Sequence, residues 1–151
     1  MCSAPSRFVP MSKSTFILTV TGYQDKHISG ILNAPLAKKS YTFQNLVQLL
    51  LLMDTLMDTA NFPQQGVAPR AFQAAQGTFI PQETTQKPAS HLAVFEINVM
   101  FRQNASWQGS LLWQEGGQEV CFRSVLELIL LMDNALSYNG TTEVIRVQSQ
   151  Q

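Results

Sequence analysis

Apolar and polar positions alternate along Phe16 to Tyr23, with Phe16, Leu18 and Val20 on one side and Thr19 and Thr21 on the other. A period of two predicts a half-buried strand. Gln24-Asp-Lys-His27 reads as a polar turn, and Ile28 to Asn33 alternates again. After a loop at Ala34–Lys39, Ser40 to Phe43 forms a short third strand. The period then becomes helical. Leu46, Val47, Leu50, Met53 and Met57 make one stripe, and Leu49, Leu52 and Leu56 a second beside it.

The same order returns from Phe95. Phe95, Ile97, Val99 and Phe101 alternate with Glu96, Asn98 and Arg102; Trp107, Gly109, Leu111 and Trp113 follow on one face; Glu115-Gly-Gly117 marks a hairpin turn. A third strand covers Gln118 to Phe122. The next helix carries Val125, Leu126, Ile129, Met132 and Leu136, flanked by Leu128 and Leu131. Both helices open on a capping pattern, Asn45-x-x-Gln48 and Ser124-x-x-Glu127. There the first side chain accepts an early backbone N–H and the residue three on reaches back. Residues 16–58 laid on 95–137, at a constant offset of 79, give 11 identities in 43 positions. This reads as an internal duplication.

The expected fold is α+β: tandem βββα repeats forming a pseudo-twofold antiparallel sheet, with two helices packed on one face. The boundaries are a disordered N-terminus at 1–14, a first repeat at 15–58, a Pro/Gln-rich linker at 59–93 and a second repeat at 94–151. In the second repeat Tyr138-Asn-Gly140 ends the helix, and Glu143 to Gln148 makes a last strand. The two repeats share one domain. Phe62, Phe72, Phe79 and Ile80 are expected to pin the linker to the body. One helix stripe covers the sheet. The other, with Leu49, Leu52, Leu56, Leu128 and Leu131, is expected to meet the second helix or another chain. The opposite sheet face is expected to be open, with Thr19, Asn98, Arg102, Gln108 and Ser110 among its residues.

Composition narrows the function. Formal net charge is zero and 13% of residues are charged. That is about half the usual fraction, and it disfavours a nucleic-acid partner, which calls for a basic face. It leaves little self-repulsion against association. No apolar run approaches the roughly 20 residues of a membrane span, and Met1–Ser14 has no signal-peptide core. Met11 is an alternative start to Met1. A cytoplasmic protein with no membrane partner is expected.

Candidate chemistry is sparse. Asp54 and Asp133 close the repeated Leu-Leu-Met-Asp block and could form an acid–base pair. The simpler reading is that each pairs with a cation or sits at the wet edge of its stripe. His27 and His91 have no second ligand at metal spacing, and the spacing of Cys2 and Cys121 suggests neither a disulfide framework nor a zinc site. No catalytic residue, metal or cofactor is expected. The most distinctive run, Phe101-Arg-Gln-Asn-Ala-Ser-Trp-Gln-Gly109 with Phe122-Arg-Ser124, interleaves aromatics and arginines. Arg102, Asn104, Trp107 and Arg123 are the candidate contact residues, for protein or single-stranded nucleic acid. The bland alternative is a hairpin with Trp107 in the core.

That run, continued through Leu126-Glu-Leu-Ile129 and Leu131-Met-Asp133, resembles a group of small bacterial proteins of uncharacterised function over residues 94–137. The resemblance implies no reaction, cofactor or site. In topology alone, tandem β-rich units ending in one helix are similar to PUR-repeat and PC4-like single-strand binders. The expectation is a non-enzymatic binding or adaptor module acting through protein contacts, self-association included, with a single-stranded nucleic-acid regulator as the alternative.

Overall fold

The computed structural model describes residues 12, 14–73 and 79–149, with side chains described as far as residue 138. The fold is α+β. Strands β1 (Thr15–Gln24), β2 (His27–Ala34) and β3 (Lys39–Phe43) precede helix α1 (Leu46–Ala60). A two-residue strand β4 (Gln82–Glu83) follows; then come β5 (Ala93–Phe101), β6 (Gln108–Trp113), β7 (Gln118–Phe122) and helix α2 (Val125–Ser149). The seven strands form one sheet in the order β4-β3-β2-β1-β5-β6-β7, and every neighbouring pair is antiparallel.

The strands form where period-two alternation places apolar side chains on one face. Phe16, Leu18 and Val20 of β1, Leu32 of β2, Phe43 of β3, Phe95, Ile97 and Val99 of β5, Leu111 of β6 and Phe122 of β7 are all buried. They share one core with Leu49, Leu52, Met53 and Met57 of α1 and Leu128, Met132, Ala135 and Leu136 of α2. Both helices therefore cover the same sheet face. Each begins at its expected cap. The Asn45 side chain accepts from Gln48 N at 2.9 Å while the Gln48 side chain accepts from Gln44 N at 2.8 Å. Ser124 Oγ accepts from Glu127 N at 3.2 Å while the Glu127 carboxylate accepts from Arg123 N at 2.8 Å.

Strands β1 and β5 meet at the middle of the sheet. Ile17 faces Glu96, Phe16 faces Ile97, and Leu18 faces Phe95. Each outer hairpin carries a bulge. One residue, Thr21, is inserted between the Val20–Gly30 and Gly22–Ser29 pairs. Met100 is inserted likewise between Val99–Gly109 and Phe101–Gln108. A bulge shifts the alternation by one residue, so Phe101, expected to point inward, is exposed. Arg102, expected on the open face, turns instead towards α1. Glycines accompany the bulges. A Cβ on Gly30 would lie 2.0 Å from the Thr19 carbonyl oxygen, and one on Gly109 would lie 2.0 Å from that of Asn98.

Other expectations need correction. Residues 143–148 are helical, because α2 continues to Ser149 instead of stopping at Gly140. One glycine inside a helix costs only about 1 kcal/mol, and a strand would need a ladder partner that a helix does not. Ser14, assigned by sequence to the unordered terminus, is fully buried. Its hydroxyl donates to Val99 O at 2.6 Å, and Val99 N donates back to Ser14 O at 3.1 Å. Ser12 and Thr15 hydrogen-bond to the Asn98 side chain, so Asn98, placed on the open face, is covered. Residues 1–11 lie outside the described residues. In the segment between α1 and β5, Phe79 packs on the core, but Phe62, Phe72 and Ile80 are exposed and pin nothing. Pro63 is buried instead, and β4 holds the segment to the sheet edge.

Candidate binding surfaces

The expected contact patch at Arg102, Asn104, Trp107 and Arg123 is not one surface. Arg102 follows the β5 bulge, and its side chain is 2% exposed. Its Nε donates to Pro63 O at 2.8 Å; one terminal nitrogen donates to Asp58 at 2.7 Å and to Asp54 at 3.3 Å. Trp107 is buried in the core. Asn104 sits exposed in the β5–β6 turn with positive φ, as does Ala105. Arg123 is exposed but is laid along the start of α2 by a two-pronged pair with Glu127, at 3.0 and 2.7 Å. That pairing draws the Glu127 carboxyl down to about 2. The rest of the run is also spent on structure. Ser106 Oγ accepts from Val125 N at 3.0 Å, and the Gln108 amide bridges both backbone groups of Gln103. The motif that stands out in the sequence is a connector between sheet and helices.

Asp54 and Asp133 are likewise engaged. Asp54 shares Arg102 with Asp58. Its carboxyl is raised above the usual range, by burial first and by the Asp58 charge next, against the lowering pull of Arg102. The guanidinium's closer contact goes to Asp58. Asp133 accepts from Lys26 Nζ at 2.6 Å and from the Tyr23 hydroxyl. Those hydrogen bonds hold its carboxyl below the usual range, Lys26 contributing most. The two carboxylates lie on different helices, each against its own cation. Among the described residues no cluster of three or more His, Cys, Asp or Glu could hold a metal. His91 faces Glu115 at 3.5 Å.

The helix stripe expected to meet the second helix or another chain is interior. Leu49, Leu52 and Leu128 are buried, and Leu56 and Leu131 are half-buried against the core. The core takes an arc of each helix wide enough to include both stripes. The apolar residues that remain in solvent are others: Val47 and Leu51 on α1, 65% and 46% exposed, and Leu126 and Leu130 on α2, 63% and 56% exposed. Each pair is spaced i, i+4 and forms a ridge on the outer side of its helix.

A second feature escaped the sequence reading. A groove of ≈ 540 Å³ runs between the end of α1 and the β2–β3 hairpin. Phe16, Ala34, Leu36, Tyr41, Leu56 and Thr59 line it, with Lys39 at the rim. Lys39 pairs with Glu83 of β4 at 3.1 Å, and Thr59 Oγ1 donates to Thr55 O at 2.8 Å. No periodicity announces a groove, because it is made by small side chains where larger ones would fill the space.

No protein-family model matches the chain, and no similar protein or solved structure is found. No helix among the described residues is long and apolar enough to cross a membrane.

Proposed function

We propose that the protein is a non-enzymatic, cytoplasmic binding module that works through protein–protein contacts, self-association among them, made by the outer faces of α1 and α2. The observation that carries this reading is the solvent exposure of Val47, Leu51, Leu126 and Leu130. Four aliphatic side chains in two helical ridges lose free energy to water, and a covering partner recovers it. Zero formal charge leaves a second copy free to approach.

The proposal includes an internal duplication: two βββα units facing each other across β1 and β5 about a pseudo-twofold axis. Several relationships at the same 79-residue offset support it. Ile17, at the centre of the β1–β5 pairing, faces its own counterpart Glu96, and the flanking pairs Phe16–Ile97 and Leu18–Phe95 exchange roles across that centre. The bulges at Thr21 and Met100, the crowded glycines Gly30 and Gly109, and both capping boxes stand at matching positions. The exposed ridges match too, Val47 with Leu126 and Leu51 with Leu130.

No observation favours single-stranded nucleic acid as the partner. Arg102 and Trp107, which would have stacked and clamped bases, are engaged inside the fold.

Size-exclusion chromatography with light scattering over a range of concentrations tests the proposal. The expected result is a concentration-dependent dimer that Leu51→Glu with Leu130→Glu abolishes while circular dichroism stays unchanged. A strict monomer at all concentrations removes self-association. Capture of the same partners from lysate by wild type and this double variant removes the helix ridges as the contact surface.

A further inference from the structure

In the second half the angle between helix and hairpin is lined differently from the groove beside α1. Seventy-nine residues beyond Ala34 and Thr59 stand Trp113 and Tyr138. These two rings meet edge-to-face, centroids 5.9 Å apart and planes at 80°. The Trp113 ring also lies so close over Gly116 that a Cβ there would come within 2.1 Å of it. In one half, then, aromatic rings fill the angle between helix and hairpin. In the other, Ala34 and Thr59 leave it empty, and Tyr41 and Phe16 remain as its walls.

We propose that this groove binds a neutral, planar aromatic small molecule of one or two fused rings. The volume, ≈ 540 Å³, lies inside the roughly 300–1,000 Å³ range of small-molecule sites. The walls are aromatic and aliphatic, and such walls favour edge-to-face or offset ring packing. At the rim Lys39 already faces Glu83, and Thr59 Oγ1 donates to Thr55 O, so the apolar walls rather than a charged partner select the ligand. No residue from 61 to 81 lines the groove among the described residues, and Phe72 of that segment is fully exposed. The choice of an aromatic occupant rests on the duplication proposed above; the groove itself does not.

The test is a titration of the full-length protein with 2-naphthol, followed by ¹⁵N–¹H correlation spectra. Saturable shifts are expected at residues 34–39 and 56–60, with a Kd below ~1 mM, about −4 kcal/mol. Ala34→Trp with Thr59→Tyr, which rebuilds the second half's ring pair, should weaken binding at least about tenfold, ~1.4 kcal/mol, in a chain with a dispersed, folded spectrum. If that pair does not fold, Ala60→Leu serves as the blocking variant. Absence of saturable shifts overturns the proposal. So do shifts confined to Val47, Leu51, Leu126 and Leu130, or undiminished binding in a folded blocking variant. Binding that appears only in Phe72→Ala also overturns it, because the chain's own ring would then be the occupant. A wild type that binds 2-naphthol as a strict monomer separates this site from the association surface.

Discussion

The buried guanidinium of Arg102 donates to Asp58 at 2.7 Å, joining the end of β5 to a helix 44 residues earlier in the chain. The matching contact runs the other way. Tyr23, at the end of β1, donates to Asp133 on α2. Each strand of the central pair is thus tied to the helix that follows the other strand's hairpin.

Arg102→Ala should destabilise the fold by roughly 2–3 kcal/mol, somewhat below the loss seen when a fully buried pair is broken. The discount is for Asp54 and Asp58, whose side chains are 36% and 55% exposed and can rehydrate. Asp58→Asn should cost only about 1 kcal/mol or less. Urea denaturation checks both. An Arg102→Ala midpoint equal to wild type would mean that the tie contributes nothing.

Gly30→Ala and Gly109→Ala should each cost roughly 2–3 kcal/mol, because a methyl group would press on a carbonyl oxygen of the neighbouring strand. Similar losses at the two sites, read from thermal midpoints, are expected. Gly66, where an added Cβ meets nothing, supplies the neutral control.

Burial first, then the hydrogen bond and charge of Asp133, push the Tyr23 hydroxyl up from 10.0 to about 12. A folded pKa above the unfolded one gives stability that is whole below pH 10 and lost as pH climbs towards 12. Ultraviolet titration of the folded protein should show a late-ionising component that Tyr23→Phe removes. Stability of the Phe variant should fall less than that of wild type over the same window.

Glu127 has the opposite sign. Its pKa falls from 4.5 to about 2, chiefly through Arg123. A lowered carboxyl gives stability that is present above pH 4.5 and lost as pH drops towards 2. The gap in denaturation midpoint between wild type and Glu127→Gln should therefore be open at pH 6 and close on acidification. A gap independent of pH would remove the ion pair as its cause.

Much of this architecture is legible in the residues. Both capping boxes, the Asp25–Lys26 turn and the Gly117 turn follow local chemistry that a short window contains. Arg102 does not. Strict alternation sends it to the open face, and only the extra residue at Met100 turns it inward. A bulge depends on the partner strand, which a single window does not see. The same blindness hid the groove. Ala34 and Thr59 carry no signal alone; the groove is visible only once α1 and the β2–β3 hairpin are packed together. Leu49 and Leu52 face the interior and not another chain, because the burying arc is set by the breadth of sheet beneath a helix, and stripes in the sequence do not report that breadth.

The sheet's two margins are unlike. Beyond β3 the ladder ends at once in Gln82–Glu83, with Pro81, which has no N–H to offer, just before them. Beyond β7, among the described residues, no strand follows. The five residues of β7, which include the disulfide-bonded Cys121, form the longer margin, and the two of β4 the shorter. A margin cut to two residues and flanked by proline resists the edge-to-edge pairing by which a sheet with two long open edges extends into a fibre.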